Sequence, residues 1–124
     1  MTISPLFARR LFLWSGTLGI ASLLPQYFLE NMPGSAASIR FAHPEYFYGF
    51  IGVALAWQIA CIVISRDVLR FRPLMLPAAA EKLLFAASTI ALYLGDRAAA
   101  SAAGAAAVDL LLGALFVFTY IRCK

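Results

Sequence analysis

The chain is poor in charge. Of its 124 residues 13% are charged and 63% hydrophobic, where soluble domains carry roughly 25% and 45–50%. So few ionisable groups cannot hydrate the surface of a small domain, and a mean hydropathy of +0.85 excludes an ordinary soluble fold. The two cysteines, Cys61 inside an apolar run and Cys123 beside the C-terminus, offer no disulfide framework and read as reduced, structural residues. With His43 as the only histidine there is no His pair for haem. No Cys or carboxylate cluster is spaced to complete a metal centre, so no metal is expected and His43 reads as a solvated loop residue. A Ser-His-Asp order, a Cys-x-x-Cys pair and a glycine-rich phosphate loop are all missing, which weighs against catalysis and gives no reason to expect a cofactor. The two halves show no internal repeat, so an inverted-repeat transporter has no support.

What is there is a series of long uncharged runs suited to lipid. The net charge of +4 comes from basic residues at the ends of those runs, a signature of membrane topology rather than of a phosphate-binding stripe, and no nucleic-acid partner is expected. Leu11–Leu29 would cover about 28 Å as helix, close to the ~30 Å hydrocarbon layer. The run follows Arg9-Arg10 as a signal-peptide core would, with Ser35-Ala36-Ala37 as a nominal cleavage site, but it exceeds the usual ~7–15 residues and is read as a retained span. Pro25 is expected to bend it or free the carbonyl of Ala21. Ser15, Gly19, Ser22 and Gln26 share one face, a packing surface for a neighbouring helix or, alternatively, the lining of a ligand site.

Glu30–His43 is a loop by composition. Pro44 and Glu45 suit the first turn of a second helix, with Tyr46, Phe47 and Tyr48 at the headgroup boundary and Gly49, Gly52, Ala56 and Ala60 as a small-residue stripe. Pro73 and Pro77 punctuate a basic turn. The uncharged stretches Leu83–Leu94 and Leu110–Ile121 are each too short to span unless Glu81 and Asp109 are taken inside. The expectation is an all-α polytopic membrane protein, a single domain over 1–124 built as a four-transmembrane-helix bundle, with helices over about 11–31, 45–66, 77–95 and 102–121.

Arg9, Arg10, Arg66, Arg70, Arg72, Arg122 and Lys124 fall on one side, with Lys82 close to it, against Arg40 and Arg97 on the other. Both termini are therefore expected in the cytoplasm, in a bacterial-type inner membrane. Arg66, Asp67, Arg70 and Arg72 form the cytoplasmic anchor, in which Asp67 and Arg70 pair if the second helix continues past the membrane.

The interior polar candidates for ligand binding are Asp109, Gln26, Gln58, Trp57 and Glu81. A central Asp costs about 2.5–3.5 kcal/mol to insert, so such residues face a bundle interior or water. Glu81 is expected to pair with Arg66, Arg70 or Arg72, while Lys82, about 100° round the helix, extends to the headgroups. Asp109, about 9 Å below the outer surface, shares its depth with Gln26, Thr89 and Tyr48. It forms either a hydrogen-bonded interior cluster or a site for a cation, a proton or a ligand hydroxyl. Gln58 lies deeper, in reach of Ser88 or Glu81, and Trp57 faces elsewhere. The polar groups thus occupy two levels.

The pattern Tyr48-Gly49-Phe50, Trp57-Gln58, Ser65-Arg66-Asp67 with Arg70 and Arg72-Pro73, then Glu81-Lys82 and Asp109, resembles small bacterial four-span membrane proteins. In size and layout these are similar to the DoxX-like group. The resemblance implies a four-helix membrane protein. Some DoxX-like proteins are associated with quinone-linked redox complexes, but no residue here carries that function over. Small multidrug transporters have a similar length, yet their membrane carboxylate belongs to the first span, where this chain has none. Sterol isomerase-like and sterol-binding bundles share interior carboxylates and Trp in kind only. The leading expectation is a non-enzymatic accessory or lipid/quinone-like small-ligand-binding protein. Alternatives are a proton- or cation-coupled transporter using Asp109 and Glu81, and a membrane enzyme on a lipid-like substrate. Expected partners are membrane lipid and a hydrophobic small molecule or another membrane protein.

Overall fold

Local sequence marks the start of several helices. Ser4 accepts a hydrogen bond from the Phe7 amide at 3.2 Å and Pro5 fills the first turn, so α1 runs over Pro5–Leu23. The arginines Arg9 and Arg10 are good helix formers and lie inside it, ahead of the Leu11 start expected from charge alone. Pro25 cannot donate to the Ala21 carbonyl, and the chain tightens into a 3-10 stretch, Leu24–Asn31. Gln26 Nε2 then donates to the Ser22 carbonyl at 3.2 Å. Residues 2–31 and 43–124 are described in this computed structural model. The expectations for Pro33-Gly34, Ser35-Ala36-Ala37 and Arg40 lie outside the described residues.

Helix α2, Pro44–Arg66, opens with Pro44 in the first turn and Glu45 beside it, the exposed His43 ring meeting the Glu45 carboxylate at 3.3 Å. A short 3-10 turn, Arg72–Leu74, leads into α3, Met75–Leu94. Pro77 falls in its first turn, where no intrahelical donor is needed. Asp96, with φ of 57°, turns the chain in the left-handed region that Asp tolerates. Then α4 runs over Ala100–Arg122.

The chain is all-helical among the described residues, apart from an isolated bridge between Ile3 and Cys123. Among the described residues, three helical segments are long and apolar enough to cross a membrane: Pro44–Arg66, Arg72–Leu94 and Ala100–Arg122. The first segment is not among them, because two arginines fall within α1 and the α-helix stops at Leu23.

Packing is uneven. α1 lies along α2 and α3 along α4, while the two pairs meet more sparingly. Glycine permits the closest approaches: a Cβ on Gly16 would stand 2.6 Å from the Gln58 carbonyl oxygen, and one on Gly113 would stand 2.7 Å from Leu83. The core of Ala8, Phe12, Cys61, Ile64, Met75 and Phe116 gathers at the end holding both termini. There Phe12 stacks on Phe116 at 4.3 Å between ring centres, and Ile3 N donates to the Arg122 carbonyl at 3.1 Å. Arg72 donates twice to the Tyr120 carbonyl, at 2.9 and 2.7 Å, and lies over its ring. That contact closes the C-terminus of α4 with a cation, where the helix dipole favours one. The outer faces carry exposed Leu18, Val53, Leu84 and Leu111, side chains suited to lipid.

The two glycine environments differ measurably. Gly16→Ala should lower stability in detergent by about 1–3 kcal/mol, because helix backbones must separate. Gly49→Ala, at a position with nothing within 4 Å of the added atom, should be neutral or gain up to about 1 kcal/mol. Thermal melts of the two variants check this, and equal midpoints would contradict the close packing of α1 on α2.

Candidate functional site

The buried face of α3 is Met75, Ala78, Ala79, Lys82 and Ala86, a helical stripe in which small residues surround one lysine. Lys82 is only 4% exposed. Its ammonium donates to Gln58 Oε1 at 3.3 Å and stands 3.7 Å from Glu81 Oε2 and 3.6 Å from Asp109 Oδ1. Three helices thus converge on one nitrogen. Their approach depends on the residues around it: Gly113, one turn beyond Asp109, lets α4 come within 3.3 Å of the Lys82 Cβ as measured from a built Cβ.

Gln58 is held in turn. Its Nε2 donates to the Ala54 carbonyl at 3.1 Å, which turns the amide oxygen toward Lys82. Gly19 of α1 supplies the room, since a Cβ there would overlap the Gln58 carboxamide. At an effective dielectric of about 20, charges ~4 Å apart attract by about 4 kcal/mol. Two such partners offset the several kcal/mol of desolvation that a buried ammonium costs. An ammonium has three donors, and Gln58, Glu81 and Asp109 are its three partners.

Beside this cluster lies a cavity of about 640 Å³. α1 and α4 form its walls, with Trp14, Leu18, Val108 and Leu112 among the apolar lining, while Gln58, Glu81, Lys82 and Phe85 stand behind. Because Trp14, Leu18 and Val108 are also exposed, the cavity opens sideways between α1 and α4. Phe50 stacks on Phe85 at 5.6 Å and braces the rear wall. Ser15 is among the lining residues, and its hydroxyl oxygen is buried with no hydrogen-bond partner.

The geometry revises several expectations. Lys82 does not extend to the headgroups; its stripe of alanines faces the interior. Glu81 has Lys82 as its cation, not Arg66, Arg70 or Arg72, because Arg72 is engaged by Tyr120. The polar groups form one level instead of two, with Glu81, Asp109 and Gln58 around the same nitrogen. Gln58 meets Lys82 rather than the exposed Ser88. α2 ends at Arg66, so Asp67 accepts from the Arg70 backbone amide at 3.1 Å instead of pairing with its guanidinium.

Gln26 lines the cavity with Ser15, Gly19 and Ser22, so the whole polar face of the first segment borders it. Tyr48 stacks on Tyr27 at 5.8 Å. Trp57 packs against the core and takes no part in the lining, where Trp14 appears instead. Arg66 and Arg70 are exposed. Comparison with protein families, curated proteins and solved structures finds no match to this chain.

The lysine's placement carries a stability signature. Lys82→Met leaves two carboxylates facing each other and should destabilise the protein by about 3 kcal/mol, the low end of the roughly 3–5 kcal/mol for breaking a buried pair. Adding Glu81→Gln and Asp109→Asn to the same chain should recover most of that loss in a detergent melt. A Lys82→Met protein as stable as the parent would contradict the cluster.

Proposed function

We propose that the chain is a four-span integral membrane protein that binds a lipid- or quinone-like amphiphile in the cavity between α1 and α4, without reacting with it. The observation that carries this reading is the cavity itself: about 640 Å³, apolar walls, and a polar group of Lys82, Gln58, Glu81 and Asp109 at its rear. Small-molecule sites have this construction, roughly 300–1,000 Å³ of mostly apolar surface with a few convergent polar groups. A ligand entering from the side keeps its chain in lipid while its polar end reaches the cluster.

Support for α1 as the fourth span comes from its length and flanks. The α-helix and its 3-10 extension run from Pro5 to Asn31, and at ~1.5 and ~2.0 Å per residue they exceed the ~30 Å hydrocarbon layer. Arg9 and Arg10 then sit at headgroup depth. The same end of the bundle holds Arg66, Arg70, Arg72, Arg122 and Lys124, which supports a cytoplasmic location for both termini in a bacterial-type inner membrane.

Two measurements test the reading. Ala105, exposed on α4, lines the cavity, whereas Ala107 is exposed and does not. Mass spectrometry of the purified protein should find a co-purifying amphiphile that Ala105→Trp depletes and Ala107→Trp retains; equal retention in both variants would sink the reading. A reporter fused after Lys124 should be active only in its cytoplasmic form, and an external signal would overturn the orientation.

A further inference from the structure

We propose that the occupant of this cavity carries a primary ammonium at the polar end of an apolar chain. The inference rests on the ligand-binding reading above and deepens it. The cluster sets one ammonium, Lys82, against two carboxylates, Glu81 and Asp109, at 3.7 and 3.6 Å, a formal excess of one negative charge in its ionised form. Both carboxylates line the cavity, so the excess faces the ligand.

Lys82 does not saturate them. One ammonium is shared between two carboxylates and the Gln58 amide, and because an ionised carboxylate accepts at about four sites, lone pairs are left for another donor. An ammonium has three donors to place there. An anionic head would instead approach two carboxylates, and a neutral alcohol would leave the excess charge uncompensated.

The other cation in the lining is Arg10. It stands nine residues before Gly19, the residue level with the Gln58 amide, which is about 13 Å along α1. Arg10 is exposed and therefore solvated at the basic end, so it does not compensate the cluster. The chain of the ligand would leave between Trp14 and Val108.

The test uses the unmodified protein in phosphatidylcholine nanodiscs, with the ligand-induced change in tryptophan emission as the readout, Trp14 standing in the cavity wall and Trp57 outside the lining. Dodecylamine, dodecanol and dodecanoate are titrated in parallel. The amine should saturate about tenfold more tightly than either of the others, and Asp109→Asn or Glu81→Gln should remove most of that preference. If dodecanol binds as tightly as the amine, or dodecanoate more tightly, the cationic head group is wrong and the ligand-binding reading survives. If none of the three saturates, both fail. The head-group comparison on the parent protein stands even where a variant does not fold. Competition by phosphatidylethanolamine added to the discs would assign the ammonium to a lipid head group; its absence would assign it to a free amine.

Discussion

An ammonium withdrawn from water must bring its counter-charges with it, because desolvation alone costs several kcal/mol and hydrocarbon offers nothing in return. Lys82 imposes that condition on this fold. Its position on the interior stripe of α3 requires a carboxylate from α4, an amide from α2 and enough space on α1 for that amide to turn. Asp109, Gln58 and Gly19 meet those three requirements. The small residues follow from the same demand: Gly113 and the alanines flanking Lys82 let the helices come close enough for a short polar chain to reach the nitrogen.

The cavity is the counterpart of how the remaining apolar surface is spent. Large side chains concentrate at the end with both termini, where Phe12 and Phe116 stack and Arg72 closes α4 against Tyr120. Farther along, α1 and α4 have no such aromatic contact between them, and Trp14, Leu18, Val108 and Leu112 line a gap. The result is a helical packing that is tight at its basic end and open at the side, with its polar cluster at the rear of the opening.

Much of the architecture was legible in the sequence because it depends on local rules. Pro5, Pro44 and Pro77 lie in the opening turns of helices, Pro25 marks the change to 3-10 geometry, and Gly95-Asp96 ends α3. The interior carboxylates were legible too, since the uncharged stretches of α3 and α4 are too short without them. Lys82 was misread by a general preference: a lysine near a helix end usually reaches for headgroups. The contrary signal lay in its spacing from Met75, Ala78, Ala79 and Ala86, which puts it on the buried face. What periodicity could not supply was the depth of one helix relative to another. That offset decides whether Glu81 and Asp109 occupy two levels or one, and it is set by which glycines meet which side chains across the helix pairs.

The most direct test is a distance from the Lys82 nitrogen. The chain has two lysines, Lys82 and Lys124, so a Lys124→Arg protein labelled with 15Nζ-lysine and 13C-carboxyl aspartate reports on one nitrogen by rotational-echo solid-state NMR in lipid. The expected result is strong dephasing by a single carboxyl, that of Asp109, whose oxygen lies 3.6 Å from Nζ, lost in Asp109→Asn. A 15N signal that shows no aspartate coupling and exchanges freely with water would place Lys82 among the headgroups and contradict the buried cluster on which the rest depends.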